Sequence, residues 1–358
     1  MIAQDWSGAR RVLAVRLDGM GDLLMTGPAL RALKEAVPGR TVTALVSPAA
    51  AACAALLPGI DDFIVHKAPW MKDSEGDVEA DQALIEHLRA RGFDGAVIFT
   101  VFSQSPLPAA LLCHLAAIPR RAAHCRENPY ALLTTWVRER EPQEGIRHEV
   151  ERQLALVGHL GATLADDRLK IQISRRFRER GAVYRRDSRP LIIMHPGASA
   201  PSRRYPEASY ASVLRGLERD TEAVCVLTGT EDERALVERI RSAAASEAPV
   251  ACGVSLREFT GILDAADVVV TNNTGPAHLA AAVATPVVVL YALTNPQHAP
   301  WRAAARVLSA DVPCRDCFKS VCPSGHHRCL EDVSPRQVVN AVIELLQEGA
   351  NAPRRVLC

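Results

Sequence analysis

The chain has 358 residues, which is long enough for two domains of ordinary size, and its 42 basic and 41 acidic residues nearly cancel. This balance argues against nucleic acid as a partner and against strong electrostatic attraction to a membrane. The first ten residues lack the apolar core of a secretion signal, and the longest apolar stretch, 107–118, is too short to span a bilayer, so we predict a cytoplasmic protein with reduced cysteines.

The amino-terminal half alternates between short apolar runs and helical patterns, which predicts an α/β fold with a parallel sheet. The predicted strands span 11–17, 41–47, 62–66 and 95–100. The predicted helices span 23–37, 49–57, 81–91 and 148–160. The acidic segment 69–81 lacks apolar periodicity and is predicted to be a mobile loop able to close over a substrate.

The first predicted strand leads into the turn Asp18-Gly19-Met20-Gly21-Asp22. A buried strand followed by a glycine-containing turn and a helix is typical of the start of a doubly wound sheet, although two glycines do not complete the G-x-G-x-x-G of a dinucleotide site. Asp22 stands just inside the start of the helix. Its carboxylate either complements the helix dipole or has a catalytic role, and the local sequence alone favours the dipole.

Two charged segments interrupt the alternation. Seven arginines lie within 120–152, where they form either a solvated face or a binding surface for an anionic acceptor. The segment 175–189 is highly charged and has no apolar pattern, which predicts an interdomain connection.

The order of strand, polar loop and helix returns in the carboxyl-terminal half. A strand at 190–195 precedes the loop HPGASAPSRRYP. This loop presents donors suited to phosphate oxygens, at Ser199, Ser202, Arg203 and Arg204. After a helix at 209–219, a strand at 223–227 leads into TGTEDE. The hydroxyls and carboxylates of this loop either bind a ribose or cap the helix that follows.

The segment 264–286 has the pattern of a βαβ unit with an anion-binding loop. Valines at 268–270 end at TNNTGP, and a small-residue helix at 277–284 and a strand at 287–290 follow. Asn273 or Thr274 is expected to cap the helix, and Pro276 suits its first turn. The backbone N–H groups and the helix dipole at such a loop suit a phosphate or pyrophosphate, and the alternative is an ordinary turn.

Four cysteines lie close together near the carboxyl terminus, at Cys314, Cys317, Cys322 and Cys329. Their spacing differs from that of a paired C-x2-C ribbon, but four thiolates suffice to hold one tetrahedral zinc or iron ion as a structural site. Reduced, partly buried thiols and disulfide pairing are the alternatives. A helix is predicted to follow at 335–347.

Five motifs follow one another in the order MGDLLMTGPALRALKEAVPG, HEVERQLALVG, HPGASAPSRRYP, TGTEDE and TNNTGPAHLAAAVATPVVVLYALTNP. In order and spacing they resemble glycosyltransferase family 9, the bacterial heptosyltransferases that build the inner core of lipopolysaccharide. The resemblance covers about 11–339 and implies the GT-B fold, with two Rossmann-like domains facing across a cleft. The domains expected are an acceptor-binding domain at 1–174, a linker at 175–189, a nucleotide-sugar-binding domain at 190–334 that includes the cysteine-rich segment 314–329, and a helix and tail at 335–358.

The resemblance also implies roles for individual residues. Asp22 matches the family's proposed general base in an inverting transfer, and Arg203 is expected to stabilise the departing diphosphate. The expected acceptor-binding positions are Asp18, Gly19, Met20 and Gly21. The expected donor-binding positions are Ser199, Arg204, Thr228, Gly229, Glu231, Glu233, Asn273, Thr274, Gly275, Pro276 and His278.

The resemblance further implies an ADP-heptose-like donor, a saccharide or lipid-linked acceptor, no catalytic metal, and peripheral contact with the inner face of the membrane. One position departs from the family pattern, because Asn273 stands where many members have aspartate. The amide removes a negative charge beside the expected sugar diphosphate and offers both a donor and an acceptor. Transfer of another sugar, transfer to a small molecule or protein, and non-catalytic binding of a nucleotide sugar are the alternative functions.

Overall fold

The computed structural model describes residues 5–72, 74–185 and 187–351, and at 351 only the backbone. The predicted tail at 352–358, residue 73 of the predicted mobile loop and residue 186 of the predicted linker lie outside the described residues. The chain divides into two compact units, Met1–Gln172 and Ile173–Cys358. In each unit, the described strands form one six-stranded sheet whose neighbouring strands are all parallel.

Unit 1, Met1–Gln172, has the strand order β3-β2-β1-β4-β5-β6. Its strands are β1 Arg11–Arg16, β2 Thr41–Val46, β3 Asp62–Val65, β4 Gly95–Ile98, β5 Arg120–Cys125 and β6 Thr135–Arg138. Its α-helices are α1 Met20–Glu35, α2 Ala51–Ala54, α3 Val78–Arg91, α4 Leu107–Leu115 and α5 Glu149–Gly158. The order places β1 and β4 side by side at the centre of the sheet.

The central strands of unit 1 form where the sequence has unbroken apolar runs. Val12 of β1 pairs with Val42 of β2 on one side and with Gly95 of β4 on the other, and all three are buried. Burial on both faces requires such runs rather than an alternating pattern. The four strands predicted in this half are therefore confirmed.

Helix α3 begins three residues earlier than predicted. The Asp77 side chain accepts a hydrogen bond from the backbone N–H of Ala80 at 3.0 Å, and so caps the helix at its amino terminus. The predicted mobile loop at 69–81 is shortened accordingly, because its last four residues belong to α3. Asp81 is among them, and its carboxylate lies 2.8 Å from Nε2 of His66.

The arginine-rich segment contains β5 and β6, to which the sequence analysis assigned no strands. Arg121 is buried and donates hydrogen bonds to the carbonyl oxygens of Ala131 and Leu132. Arg152 is also buried and forms an ion pair with Glu139. The prediction that these arginines form a solvated face is wrong for Arg121 and Arg152, since each guanidinium has internal acceptors.

Unit 2, Ile173–Cys358, has the strand order β12-β11-β10-β7-β8-β9. Its strands are β7 Leu191–His195, β8 Val224–Gly229, β9 Val250–Cys252, β10 Val268–Asn272, β11 Val287–Leu290 and β12 Ala305–Leu308. Its α-helices are α6 Arg175–Ala182, α7 Glu207–Thr221, α8 Arg234–Ala244, α9 Leu256–Ala265, α10 Gly275–Ala282, α11 Arg328–Glu331 and α12 Pro335–Asn351. The βαβ unit predicted around 264–286 is confirmed as β10, α10 and β11.

Helix α6 occupies much of the segment that was predicted to be an unpatterned linker. It packs against α9 with backbone nearly touching backbone. A Cβ added to Gly181 would collide with the carbonyl oxygen of Gly261, and a Cβ added to Gly261 would collide with the carbonyl oxygen of Phe177. Contact through glycine backbones needs no apolar stripe. The helix therefore escaped a prediction based on hydrophobic periodicity.

Parallel strands place the polar loops of each unit at one edge of its sheet. In unit 2, β10 and β7 are neighbours, so the loops that follow them, 273–274 and 196–206, lie close together. Ligands of open α/β sheets bind at the carboxyl ends of such strands. Within the described ranges, the structure has no helix of the length and apolarity needed to cross a membrane.

Candidate active site

The carboxyl end of β1 carries a buried arginine surrounded by three carboxylates, here called the Arg16 cluster (Arg16, Asp18, Asp22 and Glu149). Nη1 of Arg16 donates a hydrogen bond to Oε1 of Glu149 at 2.9 Å, and Nε lies 2.9 Å from Oδ2 of Asp18. Nη2 lies 3.4 Å from Oδ1 of Asp22. A buried arginine is tolerated here because each of its three nitrogens faces an anion.

The three carboxylates of the cluster together change the pKa of Arg16 more than its burial does. Burial alone would lower the pKa of Arg16, but the carboxylates of Asp18, Glu149 and Asp22 outweigh it and raise the pKa above its ordinary value. The guanidinium thus remains charged and fixes the directions of all three carboxylates.

Asp22 is the most accessible carboxylate of the cluster. Its side chain is 27% exposed, compared with 10% for Asp18 and 1% for Glu149. It is the third residue of α1, and its Oδ2 accepts a hydrogen bond from the backbone N–H of Gly19 at 3.2 Å. The sequence analysis weighed a helix-dipole role for Asp22 against a catalytic one. Its position in the first turn of α1 fits the helix-dipole role, and its exposure is compatible with a catalytic role as well.

A cavity of about 340 Å³ lies beside the cluster in unit 1. Asp18 lines it, and Nε2 of Gln104 donates a hydrogen bond to Oδ1 of Asp18 at 2.6 Å. Trp70 and Lys72, from the predicted mobile loop, form part of the wall. Of the predicted acceptor-binding residues, Asp18 lines the cavity, while Gly19, Met20 and Gly21 are half-buried at the start of α1.

Sequence reasoning assigned no role to Arg16 or Glu149. A signal was present for each, because Arg16 directly follows the apolar run 12–15 of β1 and Glu149 lies in the HEVERQ motif. The two residues are 133 positions apart, and only the fold shows that they are partners.

Asn272, at the end of β10, holds the loop that follows β7. Its Nδ2 donates to the carbonyl oxygen of Pro196 at 2.7 Å, and its Oδ1 accepts from the backbone N–H of Tyr205 at 3.2 Å and from the hydroxyl of Tyr210 at 3.1 Å. Asn272 is completely buried. Sequence reasoning considered Asn273 and missed Asn272, although the pair of asparagines in TNNTG was the available signal.

The predicted phosphate-binding residues of the loop after β7 differ in how far they are exposed to solvent. Ser199 and Arg204 are exposed, and Nε of Arg204 donates to the carbonyl oxygen of Ala198 at 2.8 Å. Arg203 ends a short 3-10 helix, is half-buried and carries a charge close to Tyr291. Burial raises the pKa of Tyr291 to about 12, so the phenol next to Arg203 is neutral at physiological pH.

The loop after β10 leads directly into α10. Thr274 occupies the N-cap position with extended backbone, but its side chain makes no cap hydrogen bond, so the predicted side-chain capping is wrong. Gly275 and Pro276 begin the helix. The amino terminus of α10 is therefore capped by no side chain, which suits the bound anion that the sequence predicted.

Two other predicted donor residues in this region are buried. Asn273 is 3% exposed, and its Nδ2 donates to the carbonyl oxygen of Ala292 at 3.2 Å and to Oγ1 of Thr294 at 3.1 Å. His278 is 4% exposed within α10. The structure thus gives Asn273 a bracing role for the loop after β11, rather than an open face for a sugar.

Of the residues predicted in the TGTEDE loop, Glu233 lies at the loop after β7, whereas Thr228 is buried. Thr228 is fully buried, and its hydroxyl bonds to His195 and to the carbonyl oxygen of Met194. Gly229 ends β8. The Glu233 carboxylate lies against Gly197 of the loop after β7, so closely that a Cβ on Gly197 would collide with it.

Glu231, in the same loop, is exposed and forms a surface ion pair with Arg234 at 2.7 Å. Its carboxylate also approaches Gly253, the residue after β9. Of the two glutamates predicted to meet a ribose, Glu233 is therefore the one that lies at the loop after β7, which is predicted to bind phosphate.

The four predicted metal ligands lie within one segment, here called the cysteine loop (314–329). Cys314, Cys317 and Cys322 lie between β12 and α11, and Cys329 is the second residue of α11. Cys314, Cys317, Cys322 and Cys329 line a common cavity of about 20 Å³, together with His326 and Ser202. All four are free thiols. Backbone hydrogen bonds, from His327 first, lower the pKa of Cys322. In the part of the chain that the structure describes, no three His, Cys, Asp or Glu side chains are arranged to hold a metal ion.

The comparison with known proteins decides the family. The model of glycosyltransferase family 9 (heptosyltransferase) matches residues 82–327. The chain belongs to glycosyltransferase family 9. It is therefore a glycosyltransferase, as the five sequence motifs predicted.

Individual relatives agree over the full length of the chain. The chain is 27% identical to lipopolysaccharide heptosyltransferase 2 of Salmonella typhimurium over 94% of this chain and 99% of the relative. The glycosyl transferase family 9 structure from Veillonella parvula is 20% identical, with a TM-score of 0.79 over 97% of this chain and 99% of that one. The E. coli heptosyltransferase WaaC with ADP-2-deoxy-2-fluoro heptose is 21% identical, with a TM-score of 0.68 over 94% and 99%. These likenesses confirm the predicted GT-B fold.

Proposed function

We propose that this family 9 member transfers a heptose, with inversion, from an ADP-activated donor to a saccharide or lipid-linked acceptor of the lipopolysaccharide core. The donor and acceptor classes follow from the relatives, which are named lipopolysaccharide heptosyltransferases, and from the WaaC complex with an ADP-heptose analogue. Such chemistry belongs at the cytoplasmic face of the membrane. The observation that carries the proposal is the partly exposed carboxylate of Asp22 in the Arg16 cluster.

The geometry of the cluster supports Asp22 as the general base. Glu149 and Asp18 are more deeply buried and face Arg16 at 2.9 Å, whereas Asp22 stands 3.4 Å from the guanidinium. Asp22 thus has the most exposed carboxylate of the three. A base must reach its proton within hydrogen-bonding distance.

In the proposed step, the acceptor hydroxyl gives its proton to Asp22 as its oxygen attacks the anomeric carbon of the heptose. The bond from that carbon to the diphosphate oxygen breaks on the opposite face, and ADP departs with the electron pair. One carbon–oxygen bond forms as another breaks, so the configuration inverts. Asp22 then returns its proton to solvent.

Unit 2 supplies the groups suited to the departing diphosphate. We assign the diphosphate to the amino terminus of α10, with Gly275, and to Arg203 in the loop after β7. Asn272 fixes that loop through its bonds to Pro196 and Tyr205. Positive charge and backbone N–H groups that are already in place stabilise a leaving group at little reorganisation cost.

Replacing Asp22 with asparagine tests the base. The amide keeps the shape of the side chain but cannot take the proton, so Asp22→Asn should lower the transfer rate roughly 100- to 10,000-fold while donor binding is kept. Transfer is measured with ADP-heptose and a heptose-deficient lipopolysaccharide core acceptor, and the anomeric configuration of the product by NMR.

Glu151→Gln is the matched control, because Glu151 is also the third residue of a helix and accepts from the N-cap backbone N–H, that of His148, at 3.3 Å. It should leave transfer unchanged. Transfer by Asp22→Asn at the rate of the unaltered protein would remove Asp22 from the mechanism.

Calorimetry with nucleotides tests the donor class. ADP and ADP-heptose should bind without added divalent metal, and more tightly than UDP-N-acetylglucosamine or GDP-mannose. A preference for UDP or GDP ligands would point to another sugar donor. Donor binding without transfer to any core acceptor would instead favour a non-catalytic binding protein.

A further inference from the structure

The proposed transfer makes no direct use of the cysteine loop, yet this loop lies against the donor side of unit 2. We propose that the cysteine loop binds one zinc(II) or iron(II) ion through Cys314, Cys317, Cys322 and Cys329, and that the ion holds the loop at 201–204 in its donor-binding shape. The second half of this inference rests on the proposed function, whereas the first half does not.

The positions of the thiols support a single metal site. All four line one cavity of about 20 Å³, which is large enough for one small ion or water. Cys314, Cys317 and Cys322 lie near enough to Cys329 to influence it electrostatically. Four thiols on one cavity match the ligand set of structural zinc and of iron in proteins.

A histidine and a buried hydroxyl complete the surroundings of the cavity. Nε2 of His326 lies 3.8 Å from Sγ of Cys314. The hydroxyl of Ser202 is buried at the same cavity without a hydrogen-bond partner among the described residues. Groups of this kind orient metal-bound thiolates by hydrogen bonding from outside the ligand set.

The cysteine loop has little packing of its own to define its shape. It forms no helix or strand before α11 begins at Arg328. Its two largest apolar side chains, Phe318 and Val321, are 50% and 67% exposed. Long loops without internal structure are uncommon in compact domains, and a metal bound by four thiolates supplies the missing cross-link.

The four sulfurs line the cavity without standing at ligand positions, so ion binding requires the loop to bring them closer together. The weak packing of Phe318 and Val321 permits this movement. Each thiol gives up its proton to solvent as its sulfur joins the ion.

Two backbone hydrogen bonds connect the cysteine loop to the donor site. The N–H of Ser202 donates to the carbonyl oxygen of Ser320 at 3.0 Å, and the N–H of Phe318 donates to that of Leu293 at 2.8 Å. Ser202 directly precedes Arg203, and Leu293 directly precedes Thr294, the partner of Asn273. A cysteine loop fixed by a metal therefore fixes both neighbouring loops.

Metal analysis tests the first half of the inference. The full chain is purified anaerobically with a reductant, incubated with Zn²⁺ or Fe²⁺, desalted and analysed by mass spectrometry of the elements. The protein should hold about one ion per chain, and Cys317→Ser/Cys322→Ser less than about a tenth of that. Cys314→His supplies an alternative zinc ligand and should retain zinc.

Cys225→Ala is the matched control, because it removes a buried thiol of unit 2 that lies in β8, outside the cysteine loop. It should keep its full metal content. The metal site is refuted if the unaltered protein holds no ion after loading, or if intact mass shows Cys314, Cys317, Cys322 and Cys329 joined as disulfides in the reduced preparation.

ADP binding tests the second half. Protein stripped by a chelator should bind ADP at least about tenfold more weakly, and Zn²⁺ should restore the affinity of the unaltered protein but not of Cys317→Ser/Cys322→Ser. Unchanged ADP affinity after metal removal would overturn the link to the 201–204 loop. If the metal-loaded protein binds no ADP, the proposed donor site fails while the metal site stands.

Discussion

The Arg16 cluster and the cysteine loop both bring four chemically active side chains together, but they are held in different ways. In the cluster, Arg16 and Glu149 are each 1% exposed and are positioned by β1 and α5. In the cysteine loop, Phe318 and Val321 are at least half exposed, and backbone hydrogen bonds join the loop to Ser202 and Leu293. Packing fixes the first site, and the second is the one for which we propose a metal ion as the fixing ligand.

The difference shows two ways in which one chain positions reactive groups. The buried charges in unit 1 hold one another in place, because separating or removing any one of them would leave another buried charge without its counter-ion. Thiols on an exposed loop can be brought into position by an ion that arrives after folding. Unit 1 should therefore respond to changes of charge, and the cysteine loop to removal of metal.

The largest expected effect is that of removing the central cation of the cluster. Arg16→Leu leaves Glu149 and Asp18 as close, poorly solvated carboxylates, and should lower the free energy of unfolding by about 3–5 kcal/mol. Urea denaturation followed by circular dichroism measures the change. Arg89→Leu removes an arginine that is 49% exposed and paired with Glu86, and should cost less than about 1 kcal/mol. Equal losses in the two variants would contradict the comparison.

A second effect concerns acid. Burial first, and then the charge of Arg152, lower the pKa of His124 from 6.5 to about 3. Below pH 6.5 the unfolded chain gains a proton on His124 that the folded chain does not, so stability falls as the pH drops from 6.5 towards 3.

The measurement compares urea denaturation at pH 7 and pH 4. The unaltered protein should lose about 2–3 kcal/mol more than His124→Gln between these values, because glutamine does not titrate. Parallel pH profiles would show that His124 is protonated in the folded protein as readily as in the unfolded one.

The smallest effect belongs to the apolar surface of the cysteine loop. Val321→Ser should change the free energy of unfolding by less than about 0.5 kcal/mol, because the side chain is 67% exposed. Leu330→Ala, at a fully buried position in the adjoining α11, should cost about 2–5 kcal/mol in the same urea titration. A large loss from Val321→Ser would mean that apolar packing, rather than an ion, defines the loop.

The sequence predicted the parts of the fold that depend on neighbouring residues. The apolar runs of β1 and β10, each followed by glycine and a helix, predicted the two parallel sheets and the polar loops at their edges. Asp22 and Arg203 were assigned catalytic roles through the resemblance of the surrounding motifs to family 9, whereas the local sequence alone favoured a helix-dipole role for Asp22. The assignment of all site residues stays a prediction until the variants are measured.

The parts that escaped prediction depend on partners far along the chain. Nothing local shows that Arg16 meets Glu149, or that Asn272 bonds to Pro196, 76 positions earlier. The strand β5 was missed because its sequence, RRAAHC, begins with two arginines and has no long apolar run. The guanidinium of Arg121 is satisfied by carbonyl groups of a later loop. Thr228 was predicted to bind the donor, but its side chain is buried and bonded to His195, a partner 33 positions earlier that the local sequence does not indicate.

The glycine contact between α6 and α9 has a consequence for exchanging parts of this protein with those of its relatives. Helix α6 precedes the first strand of unit 2 but is bound to Gly261 by backbone contact. A chimera joined at residue 190 would bring a foreign α6 against α9, and any side chain larger than hydrogen at the position of Gly181 would prevent the fit. The natural junction for recombination is therefore between Gln172 and Ile173, with α6 inherited together with α9.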